Sequence, residues 1–142
     1  MLRAFEAKHE FVESPMKLEY LASGSPDCPL IRLYDFQPSE AADLLAVINT
    51  LAFAAAARVE VDQLAFVEPV GGCRLVFTRR LQDRVVHGPQ ESELECGFTA
   101  ATWDNVAGLL EPFAKGAGGF QWLARAHGDA ALLISASAGG EW

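Results

Sequence analysis

The chain has 142 residues, of which 51% are hydrophobic and 21% charged, and 19 acidic against 11 basic residues give a net charge of −8. This length and composition are typical of a globular domain and exclude a disordered chain. Nucleic-acid binders present clustered basic side chains to phosphates, whereas the longest basic run here is Arg79-Arg80. The charge therefore argues against a DNA or RNA partner.

The cysteines are Cys28, Cys73 and Cys96, and no two of them form a C-x-x-C pair. This spacing predicts reduced thiols and a cytoplasmic protein, without a disulfide framework or a zinc knuckle. No apolar run reaches the ~18 residues of a membrane-spanning helix. The first residues also lack the apolar core of a signal peptide, so we expect no membrane association.

The N-terminal part of the sequence predicts an arm followed by a hairpin. Residues 1–14 are expected to be loosely ordered, with a single domain over residues 15–142. Lys17–Leu21 and Leu30–Phe36 alternate polar and apolar residues on either side of the turn-rich segment SGSPDCP. These two segments predict a pair of strands joined by a loop.

The strongest helical pattern lies between Pro38 and Ala57. Phe53 lies on the side of this helix opposite its main apolar face. This outward position predicts either packing against a second layer of the domain or the N-terminal arm, or a contact surface for a dimer or a partner protein. Apolar residues recur at helical spacing on that main face, namely Ala41, Leu44, Leu45, Ile48, Leu51, Ala52 and Ala55.

Four short alternating segments follow this helix and predict an antiparallel meander with one solvated face and one face covered by the helix. Cys73 and Cys96 are expected on the covered face. Acidic and basic residues of the solvated face predict a charge ladder, formed by Glu91, Glu93, Glu95, Arg74, Arg79, Arg80 and Arg84. The four segments are Arg58–Phe66, Cys73–Arg79, Arg84–His87 and Glu93–Thr99.

The C-terminal part predicts a second helix and a hairpin. Thr102 is a favourable N-cap, and Pro112 is expected to kink or end the helix near Leu110 or Glu111. A glycine-rich connector, residues 116–119, leads to two strands, residues 120–126 and 130–136. The predicted fold class is therefore α+β, with one antiparallel sheet of six to eight strands, two helices on one face and the order ββ-α-ββββ-α-ββ. We recognise no internal repeat.

No motif in the sequence specifies catalysis or a cofactor. The connector GAGGF follows a helix and lacks the Lys-Ser/Thr of a phosphate-binding loop. His9, His87 and His127 have no histidine or cysteine neighbour at metal-ligand spacing. We therefore expect neither a cofactor nor a metal.

These observations favour a non-enzymatic domain that acts through protein contacts, by self-association or with a partner protein, with Phe53 at the contact surface. The alternative is a small-molecule-binding domain or an enzyme, with an aromatic-walled cleft beneath the glycine-rich connector. A plainer interpretation of the aromatic residues Trp103, Phe113, Phe120 and Trp122 is a core in which the second helix packs on the last hairpin. The candidates for the cleft are Trp103, Asp104, Gln121, Trp122 and His87.

Overall fold

A computed structural model of the chain describes residues 15–125 and 128–142. The predicted arm, residues 1–14, lies outside these ranges. The described elements are β1 (Met16–Leu21), β2 (Leu30–Tyr34), α1 (Pro38–Ala52), β3 (Arg58–Glu60), β4 (Val67–Pro69), β5 (Arg74–Arg79), β6 (Arg84–His87), β7 (Glu93–Phe98), α2 (Ala100–Ala114), β8 (Phe120–Ala124) and β9 (Ala131–Ser135).

The strands of the described residues form two mixed sheets. The five-stranded sheet has the order β4-β1-β2-β9-β8, and the four-stranded sheet has the order β3-β5-β7-β6. Strand β2 runs parallel to β9, and β5 runs parallel to β7. The α+β class and the two helices are confirmed, whereas the single antiparallel sheet of six to eight strands is wrong.

The predicted meander is wrong for two physical reasons. Strand β7 lies between β5 and β6, so the strand that follows β5 in the chain is not its neighbour in the sheet. The predicted strand Arg58–Phe66 breaks at a 3₁₀ turn, Val61–Gln63. The carboxylate of Asp62 turns inward there and accepts the backbone N–H of Leu75 at 3.0 Å.

The first helix and both predicted hairpins are confirmed. Helix α1 buries four of the seven predicted positions, Ala41, Leu44, Ile48 and Leu51. It ends at Ala52 and not at Ala57, so the predicted Ala55 lies beyond the helix and is exposed, while Leu45 and Ala52 are partly buried. Strands β1 and β2 pair antiparallel, as do β8 and β9.

Helix α2 is longer than predicted at both ends. Its N-cap is Thr99 and not Thr102, because the Thr99 hydroxyl accepts the N–H of Thr102 at 3.2 Å. The helix also continues through Pro112 to Ala114. Proline removes a hydrogen bond to the carbonyl four residues earlier, which belongs to Gly108. Both residues are exposed in the last turns, so water can satisfy that carbonyl.

The structure contains an internal duplication that the sequence analysis did not recognise. Each unit has the order strand-strand-helix-strand-strand, and the first unit also holds the 3₁₀ turn and β4. Both helices have 15 residues, and their first residues, Pro38 and Ala100, are 62 positions apart. The connectors after the helices also match, because Ala55 N–H bonds Thr50 O as Ala117 N–H bonds Pro112 O.

The two units exchange strand pairs. The five-stranded sheet combines β1-β2 of the first unit with β8-β9 of the second, and the four-stranded sheet combines β3-β5 with β6-β7. The exchange occurs through the two parallel pairings, β2 with β9 and β5 with β7. The two helices pack on each other, and one hydrophobic cluster contains residues of both helices and both sheets.

Candidate functional site

Trp103 of the predicted cleft lies in the core. Its side chain is fully buried, and its ring centroid is 4.8 Å from that of Phe77 and 4.7 Å from that of Phe98. Its indole N–H donates to the carbonyl of Thr78 at 2.8 Å. The plainer interpretation, a core residue of the second helix, therefore describes Trp103, although its packing partners are strands of the four-stranded sheet.

The other four candidates are spread over the molecule. Asp104 is exposed on α2. His87 ends β6, where its Nδ1 lies 2.8 Å from the carbonyl oxygen of Glu91. The amide of Gln121 donates to the carbonyl of Trp122 at 3.0 Å. Of the five candidates, Trp122 is the one that lines the largest groove described below.

This groove lies on the outer face of the five-stranded sheet. Leu132 and Ile134 of β9 point into the core, so Leu133 and its cross-strand partner Trp122 lie on the opposite face. We call the opening the aromatic groove. It has a volume of about 600 Å³ and is lined by Ser25, Asp27, Arg32, Phe120, Trp122, Gly139, Glu141 and Trp142.

The segment that follows β9 forms one wall of the aromatic groove. The guanidinium of Arg32 donates to the carbonyls of Gly139 and Gly140, at 3.1 and 2.9 Å. The indole N–H of Trp142 donates to Asp27 at 3.0 Å. Gly140 is buried at φ +70°, and a Cβ there would lie 2.6 Å from Nη1 of Arg32. Glycine is therefore required for the segment to pack this closely against the sheet.

Two arginines stack on aromatic rings at the groove. The Arg125 guanidinium lies 4.3 Å from the centroid of a Trp122 ring and forms an ion pair of 2.5 Å with Asp27. Arg32 lies 4.2 Å from the ring centroid of Tyr34 and 2.7 Å from a carboxylate oxygen of Glu19. Each guanidinium thus has an aromatic face and a carboxylate as partners.

The sequence analysis grouped Phe120 and Trp122 in one aromatic cluster but did not find the rest of this groove. Phe120 and Trp122 are two residues apart on one strand, so their side chains lie on the same face. Arg32 and Tyr34 show the same spacing on β2. The sequence does not show that these faces are one surface, because β2 and β8 are joined through β9.

A second distinct surface follows helix α1. Phe53 is 72% exposed and Leu81 is 96% exposed. The backbone N–H of Arg79 donates to the carbonyl of Ala57 at 3.0 Å, which brings the two segments together. We call Phe53 and the four alanines of residues 54–57 the apolar corner. The predicted outward position of Phe53 is confirmed.

The internal duplication provides a comparison for Phe53. Lys115 occupies the equivalent C-cap of α2, with φ −101° and ψ 8° against −98° and 15° for Phe53. Ala54 and Gly116, the residues that follow, both have positive φ. Because a lysine occupies the same backbone geometry in the second unit, the fold does not require an aromatic side chain at this position.

The outer face of the four-stranded sheet carries part of the predicted charge ladder. Glu95 accepts hydrogen bonds from Thr78 at 2.6 Å and from Arg80 at 2.7 Å. Other members have partners outside the ladder: Arg79 donates to the carbonyl of Ala56, and Glu91 accepts the hydroxyl of Tyr20.

This network predicts an acid-sensitive contribution to stability. Burial alone raises the pKa of Glu95. Hydrogen bonds from Thr78 and Arg80 and the charge of Arg80 lower the pKa by more than burial raises it, so the net shift is downward from 4.5. A lowered pKa in the folded state stabilises the fold above the unfolded pKa, and this contribution is lost as the pH falls through the folded value. We expect Glu95→Gln and Thr78→Val to reduce the loss of unfolding free energy below about pH 5, measured by urea denaturation at several pH values. An unchanged acid dependence in Glu95→Gln would contradict this assignment.

The thiols and carboxylates show no arrangement for nucleophilic or metal chemistry in residues 15–125 and 128–142. Cys73 and Cys96 are buried as predicted, and burial raises the pKa of Cys96 to about 12. Cys28 is partly exposed, with its sulfur 3.6 Å from the Ser25 hydroxyl. No three His, Cys, Asp or Glu side chains of these ranges are grouped so that they could hold a metal ion.

Neither helix of the described ranges has the length and apolarity needed to cross a membrane. Comparison with protein-family models, with curated proteins and with solved structures found no match to this chain.

Proposed function

We propose that this protein acts through protein contacts, as a homodimer whose two copies meet at the apolar corner. The observation that carries this proposal is the 72% exposure of Phe53 at a position where the second unit has a lysine. An exposed aromatic residue that the fold does not require is typical of a contact surface. The alanines of residues 54–57 follow it directly in the chain and extend the apolar area.

The adjoining edge strand supports a symmetric contact. Strand β3 pairs with β5 on one side, and its other side has no strand partner in the described part of the chain. Arg58 and Glu60 flank Val59 and are exposed. If two β3 strands pair antiparallel about Val59, each arginine faces the glutamate of the other copy. Opposite charges in facing positions stabilise such pairs, and a two-fold axis makes the same contact twice.

The first test is the oligomeric state of Phe53→Lys, measured by light scattering and sedimentation over a wide concentration range. We expect a dimer for the wild type and at least ~30-fold weaker association for Phe53→Lys, the effect of losing about 2 kcal/mol at an interface hot spot. Thermal unfolding of the isolated monomer should be unchanged, because Lys115 already occupies the equivalent cap. Lys115→Phe is the matched control and should leave association unchanged.

A charge exchange on β3 separates this symmetric contact from non-specific association. Glu60→Arg should weaken the dimer, because it places like charges opposite each other. The double variant Arg58→Glu, Glu60→Arg should restore it. A wild type that stays monomeric, or a double variant as weak as the single one, would exclude the proposed contact.

A further inference from the structure

The aromatic groove on the five-stranded sheet is separate from the apolar corner and has features of a ligand site. We propose that it binds a guanidinium group, supplied by a small molecule or by an arginine side chain of a partner protein. Its volume of about 600 Å³ lies within the range of small-molecule sites. Three aromatic side chains line it, those of Phe120, Trp122 and Trp142.

The protein's own arginines show which group this surface accommodates. Arg125 places its guanidinium over Trp122 while it pairs with Asp27. Arg32 lies 5.9 Å from a ring centroid of Trp142 and also stacks on Tyr34. A planar, weakly hydrated guanidinium stacks on aromatic rings better than a compact ammonium. The same recognition is therefore available to a guanidinium from outside the chain.

The groove retains a carboxylate for an incoming cation. Asp27 is paired with Arg125, and Arg32 is paired with Glu19. Glu141 lines the groove. A hydrogen bond from the hydroxyl of Ser137 and, to a smaller extent, the charge of Arg32 lower the pKa of Glu141, but it forms no ion pair with a cation of the described residues. An incoming guanidinium would therefore gain a charged hydrogen-bond partner in Glu141.

The exposed ring of Phe120 provides a stacking face next to this carboxylate. Phe120 is 46% exposed, although it lies on a strand whose later residues are buried. Two carboxylates, those of Asp27 and Glu141, line the groove against one arginine, Arg32, and the whole chain carries a charge of −8. Long-range attraction thus favours a cation over an anion.

The test is a titration of the full-length protein with methylguanidinium and with N-acetyl-arginine amide, followed by tryptophan fluorescence. Trp122 and Trp142 line the groove, whereas Trp103 is fully buried. We expect a saturable change in emission with the arginine compound and none with N-acetyl-citrulline amide, its neutral counterpart. Saturable binding of methylguanidinium as well would identify a small-molecule site, and binding of the arginine compound alone would identify a protein side chain as the source.

Matched variants locate the binding site. Glu141→Gln should weaken binding two- to five-fold, roughly the upper range for an exposed ion pair. Glu111→Gln makes the same charge change on the exposed side of α2 and should leave the affinity unchanged. Arg125→Gln should strengthen binding, because it frees the Trp122 face and Asp27. The proposal fails if the citrulline compound binds equally well, if no ligand gives a saturable change, or if Glu141→Gln and Glu111→Gln have the same effect.

Discussion

Replacing Trp103 with alanine is expected to lower the free energy of unfolding by about 3–5 kcal/mol, the range for removing a large buried aromatic side chain. The indole is fully buried against Phe77 and Phe98, which come from two neighbouring strands of the four-stranded sheet. Its removal leaves a cavity between α2 and this sheet. The carbonyl of Thr78 also loses its hydrogen bond from the indole. Urea denaturation at neutral pH measures the sum of these effects.

Two control variants separate the causes. Trp103→Phe retains most of the apolar volume but removes the indole N–H and its hydrogen bond to the Thr78 carbonyl, which contributes about 0.5–1.5 kcal/mol. Phe53→Ala removes an aromatic ring that is 72% exposed and should change the unfolding free energy of the monomer by less than about 0.5 kcal/mol. A loss below about 1 kcal/mol for Trp103→Ala would show that the ring is not a core residue.

Gly128→Ala is expected to cost more than 2 kcal/mol, roughly the range of changes that introduce both backbone strain and a steric clash. Gly128 has φ +149°, and a Cβ there would lie 2.1 Å from the carbonyl oxygen of Val85. The clash is with backbone, so no side-chain rotation can relieve it. The substitution would separate two segments that now form a bridge between Val85 and Gly128 and a 2.8 Å bond from Asp129 N–H to Val85 O.

Gly24→Ala is the matched control for this substitution. Gly24 has φ +116°, but a Cβ there would have no atom within 4 Å. It therefore measures the backbone strain alone, for which we expect about 1–3 kcal/mol. Chemical denaturation of the two variants at the same pH gives the difference that is due to the clash. Equal losses would show that the contact with Val85 relaxes without cost.

Local patterns predicted the elements better than their arrangement. The spacing of Leu44, Ile48 and Leu51 requires one buried helix face, whatever that face packs against. The parallel pairing of β2 with β9 leaves no such local signal, because alternation specifies the face of a strand and not its neighbour. The duplication was hidden for a related reason. Equivalent helix positions, such as Ala41 with Trp103 and Leu51 with Phe113, are both buried yet differ in size.

The candidate sites likewise could not be predicted where they depend on contacts between distant parts of the chain. The helical spacing of Trp103 is compatible with a core and with a cleft, since both need an inward aromatic ring. The aromatic groove could not be assembled from the sequence, because the contact between Arg32 and Gly140 joins residues 108 positions apart. The outward position of Phe53 could be predicted, because it depends only on the spacing of residues along one helix.

The exchange of strand pairs between the two units affects how the chain is made. Synthesis proceeds from the N-terminus, so β2 and β5 emerge before β7 and β9, the strands beside which they finally lie. Until then the first unit has one helix and two separate strand pairs, with apolar faces that nothing covers. Such intermediates are prone to aggregate, and their long-range pairings form slowly. Neither unit completes a sheet by itself, and the five-stranded sheet can form only after β9 has emerged from the ribosome.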